Sequence, residues 1–238
     1  MTNLIFRSDI LAKGTDNMGG DESVIEAMLV SSDQDQLVHE MEQIDKTEGR
    51  IRFLMKKRHG TPFEHNSMKF YVEAPIFVFR EWHRHRIGWS YNEQSGRYSE
   101  LPPMFYCPKP ERPLMQVGKP GDYSYVPGYP DLYSWLVTDI QSQANLQYLS
   151  YQERLSRGIA KEVARMSLGV NIYSKMYATC NARSLMAFLS LRTTEPSSVF
   201  PSTPMYEIEE AARMTETFFE TLFPMTYKAF NDYGRVCP

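Results

Sequence analysis

The spacing of apolar residues predicts a strand followed by a helix in the first half of the chain. From Asn66 to Glu73, apolar and polar positions alternate as in a half-buried strand, whose apolar face carries Met68, Phe70 and Val72. Pro75 then predicts the start of a helix with the sequence IFVFREWHRHR, because proline is well tolerated in the first helical turn. On this helix, Arg80 and Arg84 would lie one turn apart.

Apolar residues recur every three or four positions in other segments, and this spacing predicts helices. One helix is predicted from Asp21 to Val30, with Asp21 as its N-cap, and a second from Asp35 to Lys57. The sequence TPFE at residues 61–64 has the form of a capping box with proline at the first helical position. Further helices are predicted over residues 131–156, 159–168, 181–191 and 206–223. The second half is therefore predominantly helical, and the predicted fold class is α+β with helices dominant.

The segment of residues 101–130 differs from its surroundings. It holds eight prolines, and tyrosine alternates with proline near its end, so it is predicted to be a loop or an extended arm that packs on a surface. The whole chain of 238 residues is long enough to bury one large core. We therefore expect a single domain spanning residues 1–238, with this segment as a loop insertion.

Composition restricts the partners and the compartment. A net charge of −3 and a pI near 6.0 argue against nucleic-acid binding through bulk charge. The longest apolar run covers residues 74–79, far short of the ~20 residues that cross a membrane, and no signal peptide is visible. Cys107, Cys180 and Cys237 are an odd number without metal-binding spacing, which is typical of reduced thiols. We therefore expect a cytoplasmic protein with no membrane partner.

Positive charge is concentrated in HRHRIGWSYNEQSGRY, residues 83–98. Arg84, His85 and Arg86 present planar donors ahead of the aromatic rings of Trp89 and Tyr91. Guanidinium groups bind phosphate with two hydrogen bonds and stack on flat rings, so this mixture suits a nucleotide. The alternative is an ordinary solvated helix end.

A second cluster combines KEVAR, residues 161–165, with CNARSLMAFLSLR, residues 180–192. Arg183 and Arg192 would lie on different faces of one helix, so they could also be ordinary surface arginines. Cys180 is best interpreted as an inert buried thiol, because nothing in the sequence indicates an activating neighbour. The chain contains neither GxGxxG after a strand nor GxxxxGK[ST], so a bound nucleotide would be held by arginine and backbone groups.

Histidines offer a different interpretation, namely a metal site. His83 and His85 lie within the arginine cluster, and His59 and His65 lie upstream of it. Positions i and i+2 of a helix face apart, and the arginines among residues 80–97 would repel a cation, so no metal is expected.

Five blocks occur in the order found in the flavin-dependent thymidylate synthases, and the chain closely resembles this family. They are TPFEH (61–65), APIFVFREWHRHR (74–86), SYNEQSGRY (90–98), KEVAR (161–165) and NARSLMAFLSLR (181–192), and the resemblance covers most of residues 20–195. It implies a mixed α/β core with a small antiparallel sheet, assembled as a homotetramer whose active sites form between subunits. The implied reaction is the FAD-dependent methylation of dUMP to dTMP, in which methylenetetrahydrofolate gives the carbon and NADPH reduces the flavin.

The same resemblance implies roles for individual residues. The positions that match the flavin site are Ser31, Thr61, Glu64, Arg84, His85, Arg86, Asn181 and Arg183. Those that match the nucleotide site are Glu81, Arg84, Glu93, Ser95, Gly96, Arg97, Arg165 and Arg192. Arg192 matches an arginine near the pyrimidine, where a fixed guanidinium would stabilise negative charge on O4 and N3, and Ser95 is expected to orient the nucleotide.

The sequence departs from the family at four places. Eight residues, Ile87 to Gln94, separate Arg86 from Ser95, one more than in the family signature. We place the extra residue at Gly88 or Trp89, because glycine permits the backbone angles that such an addition needs. Glu81 replaces a residue that is often Gln, and Ala187 stands where some members have Asn. Residues 108–130 look like an insertion found in only part of the family.

Two other classes of function remain as alternatives. The Arg and Tyr cluster could belong to a non-enzymatic protein that binds nucleotides or single-stranded nucleic acid, which would be colourless and would bind oligonucleotides in a salt-dependent way. A histidine-ligated metallohydrolase would lose its activity to chelators. A flavin enzyme would be yellow and would oxidise NADPH faster in the presence of dUMP.

Overall fold

The structure is a computed structural model that describes residues 3–30, 44–119 and 122–238. Its strands, in chain order, are β1 Ile5–Arg7, β2 Leu11–Met18, β3 Ser67–Pro75, β4 Trp89–Glu93, β5 Met104–Tyr106, β6 Met115–Lys119, β7 Asp122–Val126 and β8 Tyr173–Cys180. Its helices are α1 Asp21–Leu29, α2 Ile44–Lys57, α3 Ile76–Trp82, α4 Pro130–Ser156, α5 Lys161–Ala164, α6 Ala182–Arg192, α7 Tyr206–Leu222 and α8 Pro224–Asp232. Short 3-10 turns cover Thr61–Glu64 and Arg165–Ser167.

These elements form a mixed α/β fold with small sheets, which confirms the predicted fold class. The largest sheet has the order β2-β3-β8-β4, and the other two pair β1 with β5 and β6 with β7. The chain divides into two compact units. The first comprises Met1–Ile10, Glu73–Trp82 and Glu93–Met176, and the second comprises Leu11–Val72, His83–Asn92 and Tyr177–Pro238. The single domain that we expect over residues 1–238 stays a prediction.

The first unit is built around aromatic residues of the long helix α4. Tyr148 and Tyr151 face inward together with Ala144, because they are spaced at helical intervals, and they pack with Phe105 and Ile172. Both phenols are buried and satisfied: Tyr148 Oη donates to the Leu101 carbonyl at 3.0 Å, and Tyr151 Oη accepts from the Leu101 N–H at 3.1 Å. In the same unit, β1 and β5 run parallel.

The second unit packs helices against the sheet. Phe70 of β3 meets Phe218 of α7 edge to face, with ring centroids 5.6 Å apart. Asp21 belongs to the first turn of α1, where Gly20 is the N-cap, so its predicted role as the cap of that helix is wrong. Its carboxylate instead accepts from the N–H groups of Met225 and Thr226 and so caps the start of α8.

Several predicted elements agree with the structure and a few do not. The strand at β3 and the helices α1, α4, α6 and α7 agree to within about two residues at their ends. Of the helix predicted over residues 35–57, residues 44–57 are helical and the rest lies outside the described residues. The helix predicted over 159–168 is reduced to α5 and a 3-10 turn. Strand β8 interrupts the predicted helical half.

Two local predictions fail for identifiable reasons. Helix α3 ends at Trp82 rather than continuing to Arg86, so Arg80 and Arg84 do not share a helix. The Tyr91 hydroxyl donates to the His85 carbonyl at 2.6 Å, so this carbonyl bonds to a side chain and not to a helical N–H group. The capping box is also absent, since Gly60 is the N-cap of the 3-10 turn and no side chain caps it.

The proline-rich segment is more regular than a loop. It contains β5 as well as the antiparallel hairpin of β6 and β7, in which Met115 pairs with Val126. Within the described ranges, no helix is both long enough and apolar enough to cross a membrane.

Candidate active site

Seven of the predicted flavin-site residues surround three adjoining depressions in the second unit, which we call the arginine cleft. The depressions have volumes of about 440, 470 and 540 Å³. The first and second share Ser184 and Ala187, and the second and third share Arg58 and Arg183. The predicted residues that line them are Thr61, Glu64, Arg84, His85, Arg86, Asn181 and Arg183. The eighth, Ser31, lies outside the described residues.

The turn that carries Arg84 and Arg86 depends on a glycine. Gly88 has a φ of +68°, which is the left-handed region that disfavours other residues. A Cβ atom at this position would lie 2.1 Å from Ser184 Oγ, so the turn also needs the space. A glycine that accommodates the extra residue between Arg86 and Ser95 is expected to adopt such a conformation. The following Trp89 stacks on Tyr91 with ring centroids 5.7 Å apart, which holds the other end of the turn.

His85 lies at the centre of this turn and contacts Arg192. Arg192 Nε donates to His85 Nε2 at 3.1 Å, and the imidazole packs edge to face on Phe188. Burial, together with the positive charge of Arg192, lowers the pKa of His85 to about 4. The imidazole is therefore neutral at pH 7, and its Nε2 atom is a hydrogen-bond acceptor.

Arg183 is held by contacts on several sides. Its Nη1 donates to Glu64 Oε1 at 2.5 Å and its Nε donates to the carbonyl of Pro238 at 2.7 Å. A Cβ atom at Gly60 would lie 2.5 Å from the Arg183 Cζ atom, so the guanidinium lies directly against the backbone there. Asn181 caps α6 by accepting from the Ser184 N–H, which fixes the first turn that carries Arg183.

Sequence reasoning missed part of the arginine cleft. The residues that line it without having been predicted as site residues include Arg58, His59, Gly60, Ser184, Cys237 and Pro238. Gly60 could have been noticed, because it precedes TPFEH directly. Nothing local marks Cys237 and Pro238, which reach the cleft only through the folded arrangement of α8 and the residues after it.

The predicted nucleotide-site residues of the first unit form a separate cluster after β4. Ser95 Oγ accepts from the Arg97 N–H at 3.2 Å, and Arg97 Nε forms an ion pair with Glu162 at 2.7 Å. A Cβ atom at Gly96 would lie 3.0 Å from the Arg165 Cδ atom, so the glycine lets the arginine lie against this turn. Serine hydroxyl, backbone and guanidinium donors thus converge around one short turn.

Two further predicted positions lie in the same unit. Glu93 Oε1 accepts from the Ser174 hydroxyl at 2.8 Å, which fixes the carboxylate at the end of β4. Glu81 is half-buried in α3. Arg84 and Arg192, which the resemblance also assigns to the nucleotide site, lie in the second unit.

The remaining candidates for chemistry are a thiol and the histidines. Cys180 is 3% exposed and burial raises the pKa of its thiol well above the usual value, which agrees with an inert cysteine. Across residues 3–30, 44–119 and 122–238, no three His, Cys, Asp or Glu side chains are grouped so that they could hold a metal ion. His83 packs against Tyr91 and His85 contacts Arg192, so the two histidines have different neighbours.

The arginine cleft thus combines cationic donors with aromatic rings on a mixed α/β fold, and the comparisons with known proteins identify the family. The family model described as thymidylate synthase complementing protein matches residues 15–225. The flavin-dependent thymidylate synthase of Streptomyces coelicolor is 48% identical over 233 residues, covering 98% of this chain and 95% of the relative. The Thermotoga neapolitana enzyme of the same name is 39% identical, covering 94% of each chain.

Solved structures agree with these matches. The UMP/dUMP methylase PolB from Streptomyces cacaoi, bound with 5-Br dUMP, is 46% identical and superposes with a TM-score of 0.93 over 99% of this chain and 100% of that chain. The same enzyme bound with 5-Br UMP gives a TM-score of 0.90, with 99% of each chain covered. The chain belongs to the flavin-dependent thymidylate synthase family.

Proposed function

We propose that this protein catalyses the reductive methylation of dUMP to dTMP with a bound FAD. Methylenetetrahydrofolate serves as the carbon donor and NADPH as the reductant. The observation that carries the proposal is the arginine cleft, in which residues from three of the five family blocks meet around connected depressions. The family match over residues 15–225 supports the same reaction.

The arginine cleft fits FAD in size and in chemistry. Each of its depressions falls within the ~300–1,000 Å³ that ligand sites usually occupy. Arg58, Arg84, Arg86 and Arg183 supply cationic donors for a pyrophosphate, and the absence of a side chain at Gly60 leaves room beside Arg183. We propose that Thr61, Glu64, His85 and Asn181 complete this site, with Ser31 as a further candidate. When bound there, FAD supplies the hydride that reduces the transferred carbon to a methyl group.

We propose that the turn of residues 95–97 holds the phosphate of dUMP. Arg165 lies against Gly96, and the Ser95 hydroxyl stabilises the turn by accepting from the Arg97 N–H. Serine and arginine donors around a tight turn are a common way to bind a phosphate. Glu93, fixed by Ser174, and Glu81 are proposed to contact the rest of the nucleotide.

Arg192 is the residue to which we assign the electrostatic part of catalysis. Uracil C5 becomes nucleophilic when negative charge builds on the O4 and N3 side of the ring, and a fixed guanidinium stabilises that charge. The contact with neutral His85 fixes the direction of the Arg192 guanidinium without competing for its charge. Ser95 orients the nucleotide and forms no covalent bond to it in this proposal.

We further propose a homotetramer in which active sites form between subunits. Helix α4 supports an oligomer, because Trp135, Leu146 and Leu149 lie on one stripe of the helix and are each more than half exposed. Light scattering of the purified protein would measure the assembly. We place the enzyme in the cytoplasm, a compartment that keeps thiols such as Cys107, Cys180 and Cys237 reduced.

A visible spectrum followed by an oxidation assay tests the proposed function. The purified protein should be yellow, with flavin absorption near the ~450 nm region, and dUMP should stimulate its oxidation of NADPH. A colourless protein that retains no flavin absorption after FAD has been added and the unbound FAD removed would contradict the proposal. Salt-dependent binding of single-stranded oligonucleotides by such a protein would support the nucleic-acid alternative instead.

The same assay decides the sugar specificity. Since PolB is described as a methylase of both UMP and dUMP, UMP should be tested in parallel with dUMP. The ratio of kcat/KM for the two nucleotides measures the preference directly.

A further inference from the structure

The chain after α8 is anchored inside the second unit by a buried arginine. Arg235 is 2% exposed, has a φ of +58°, and forms an ion pair with Glu216 at 2.6 Å. It also donates to Asn231 Oδ1 at 2.6 Å and to Thr193 Oγ1 at 2.9 Å. The Gly234 carbonyl accepts from the Val199 N–H at 3.0 Å. The backbone that follows therefore starts from a fixed position.

From this anchor the last residues reach two arginines of the arginine cleft. The Pro238 carbonyl accepts from Arg183 Nε at 2.7 Å, and the Cys237 carbonyl accepts from Arg58 Nη2 at 3.2 Å. The Cys237 thiol donates to the Arg183 carbonyl at 3.2 Å. Burial raises the pKa of this thiol, so it stays protonated and able to donate. Pro238 itself is buried.

We propose that residues 235–238, the C-terminal strap, position Arg183 for FAD binding. The inference rests on the proposed function, because it assigns Arg183 to the flavin site. An arginine side chain has much rotamer freedom, and fixing it before the ligand arrives lowers the entropy lost on binding. Glu64 contacts Nη1 of Arg183 and the strap contacts its Nε, so the plane of the guanidinium is set from two directions.

The strap lies outside the residues 15–225 that match the family model. The five family blocks, which end at Arg192, therefore do not include it. Both arginines bind main-chain oxygen atoms, so these two contacts depend on the path of the backbone at Cys237 and Pro238.

The test compares the full chain with a chain that ends at Val236. The truncated chain keeps the Arg235 anchor and loses both carbonyl acceptors. FAD titrated into each protein, followed by quenching of flavin fluorescence, should show a dissociation constant about tenfold higher for the truncated chain. Lys228→Ala, which removes only an exposed ion pair of α8, is the matched control and should bind FAD like the full chain.

A double-mutant cycle separates positioning of Arg183 from a general structural effect. Arg183→Lys keeps the charge but loses the planar donor at Nε, so it should itself weaken FAD binding. In that background, truncation should raise the dissociation constant by less than about twofold, because the contact with Arg183 Nε is already gone and only the longer contact with Arg58 is left to lose. A further tenfold loss there would show that the strap acts by another route, and the inference would be wrong.

The remaining outcomes are also decisive. A truncated chain that binds FAD as tightly as the full chain, or more tightly, overturns the inference, since tighter binding would mean that the strap competes with FAD. If truncation prevents folding, insertion of two glycines after Val236 displaces the carbonyls while keeping every side chain, and the same tenfold loss is expected. Failure of the full chain to bind FAD would instead contradict the proposed function.

Discussion

Arg192 Nε donates a hydrogen bond to His85 Nε2 at 3.1 Å. This contact connects the last residue of α6 to the turn that carries Arg84 and Arg86. His85 and Arg192 are 107 positions apart in the sequence. Their contact means that the direction of the Arg192 guanidinium depends on a lone pair of His85. A histidine assigned by resemblance to flavin binding therefore also controls the residue assigned to the pyrimidine.

Substitution of His85 should affect turnover through Arg192. His85→Leu removes the acceptor and should lower kcat by about tenfold to a hundredfold, because a misdirected guanidinium no longer stabilises the developing charge. His85→Gln places an amide oxygen near the former Nε2 atom and should recover most of that loss. Tritium release from C5-labelled dUMP measures both variants. Equal activities in the Leu and Gln variants would contradict the positioning role.

His85 also makes stability depend on pH. Its pKa is lowered from 6.5 to about 4 in the folded protein, so the unfolded chain binds the proton more readily. The contribution of His85 to stability is therefore complete above pH 6.5 and is lost as the pH falls towards 4. Urea unfolding between those values should give a shallower pH slope for His85→Gln than for the original chain. A slope unchanged by the substitution would show that other groups cause the loss.

The elements that the sequence predicts well are those whose apolar face is formed by neighbouring residues. Met68, Phe70 and Val72 define β3 because all three are fully buried and strongly apolar. Strand β8 was missed because its buried face includes Ser174, Ala178 and Cys180, which give little hydrophobic contrast. Helix α3 was predicted too long: it ends at Trp82, and the residues after it form a turn in which the His85 carbonyl accepts from the Tyr91 hydroxyl.

Some residues of the candidate site could likewise be predicted from the sequence, and others could not. Short blocks such as HRHR and NARS identify cationic residues from the sequence. Of these, Arg84, Arg86 and Arg183 line the arginine cleft, and their roles in binding stay predictions. The backbone acceptors at Cys237 and Pro238 carry no signal of their own, since any residue provides a carbonyl. Gly60 lies against the Arg183 side chain and Gly88 lies against the Ser184 side chain. No local sequence pattern predicts these two long-range contacts.

Substitution of Gly60 by alanine should weaken FAD binding without unfolding the protein. The added Cβ would lie 2.5 Å from the Arg183 Cζ atom and would push the guanidinium away. We expect a dissociation constant for FAD about tenfold higher, measured by flavin fluorescence. Gly49→Ala is the matched control, because nothing lies within 4 Å of its Cβ and alanine favours the helix α2. That control should bind FAD normally and gain about 0.5–1 kcal/mol of stability.

Ser95→Ala should retain measurable chemistry. In the structure the Ser95 hydroxyl accepts from the Arg97 N–H, which is a positioning contact that alanine removes. The variant should lower kcat/KM by about tenfold, mainly through weaker dUMP binding, while tritium is still released from C5-labelled dUMP. Complete loss of release with FAD and dUMP still bound would mean that Ser95 takes part in the chemical step.

Removal of one partner from the buried pair of Arg235 and Glu216 should destabilise the second unit. The two side chains are 1% and 6% exposed, so Arg235→Met leaves a carboxylate that is buried and still contacted by Arg213. Losing one partner of a buried pair costs about 3–5 kcal/mol, and the remaining contact with Arg213 should place the loss near the lower value. Replacing both residues, as Arg235→Met with Glu216→Leu, should recover part of the loss because no buried charge remains from the pair. Urea unfolding monitored by circular dichroism compares the three proteins, and a double variant less stable than Arg235→Met alone would contradict this account.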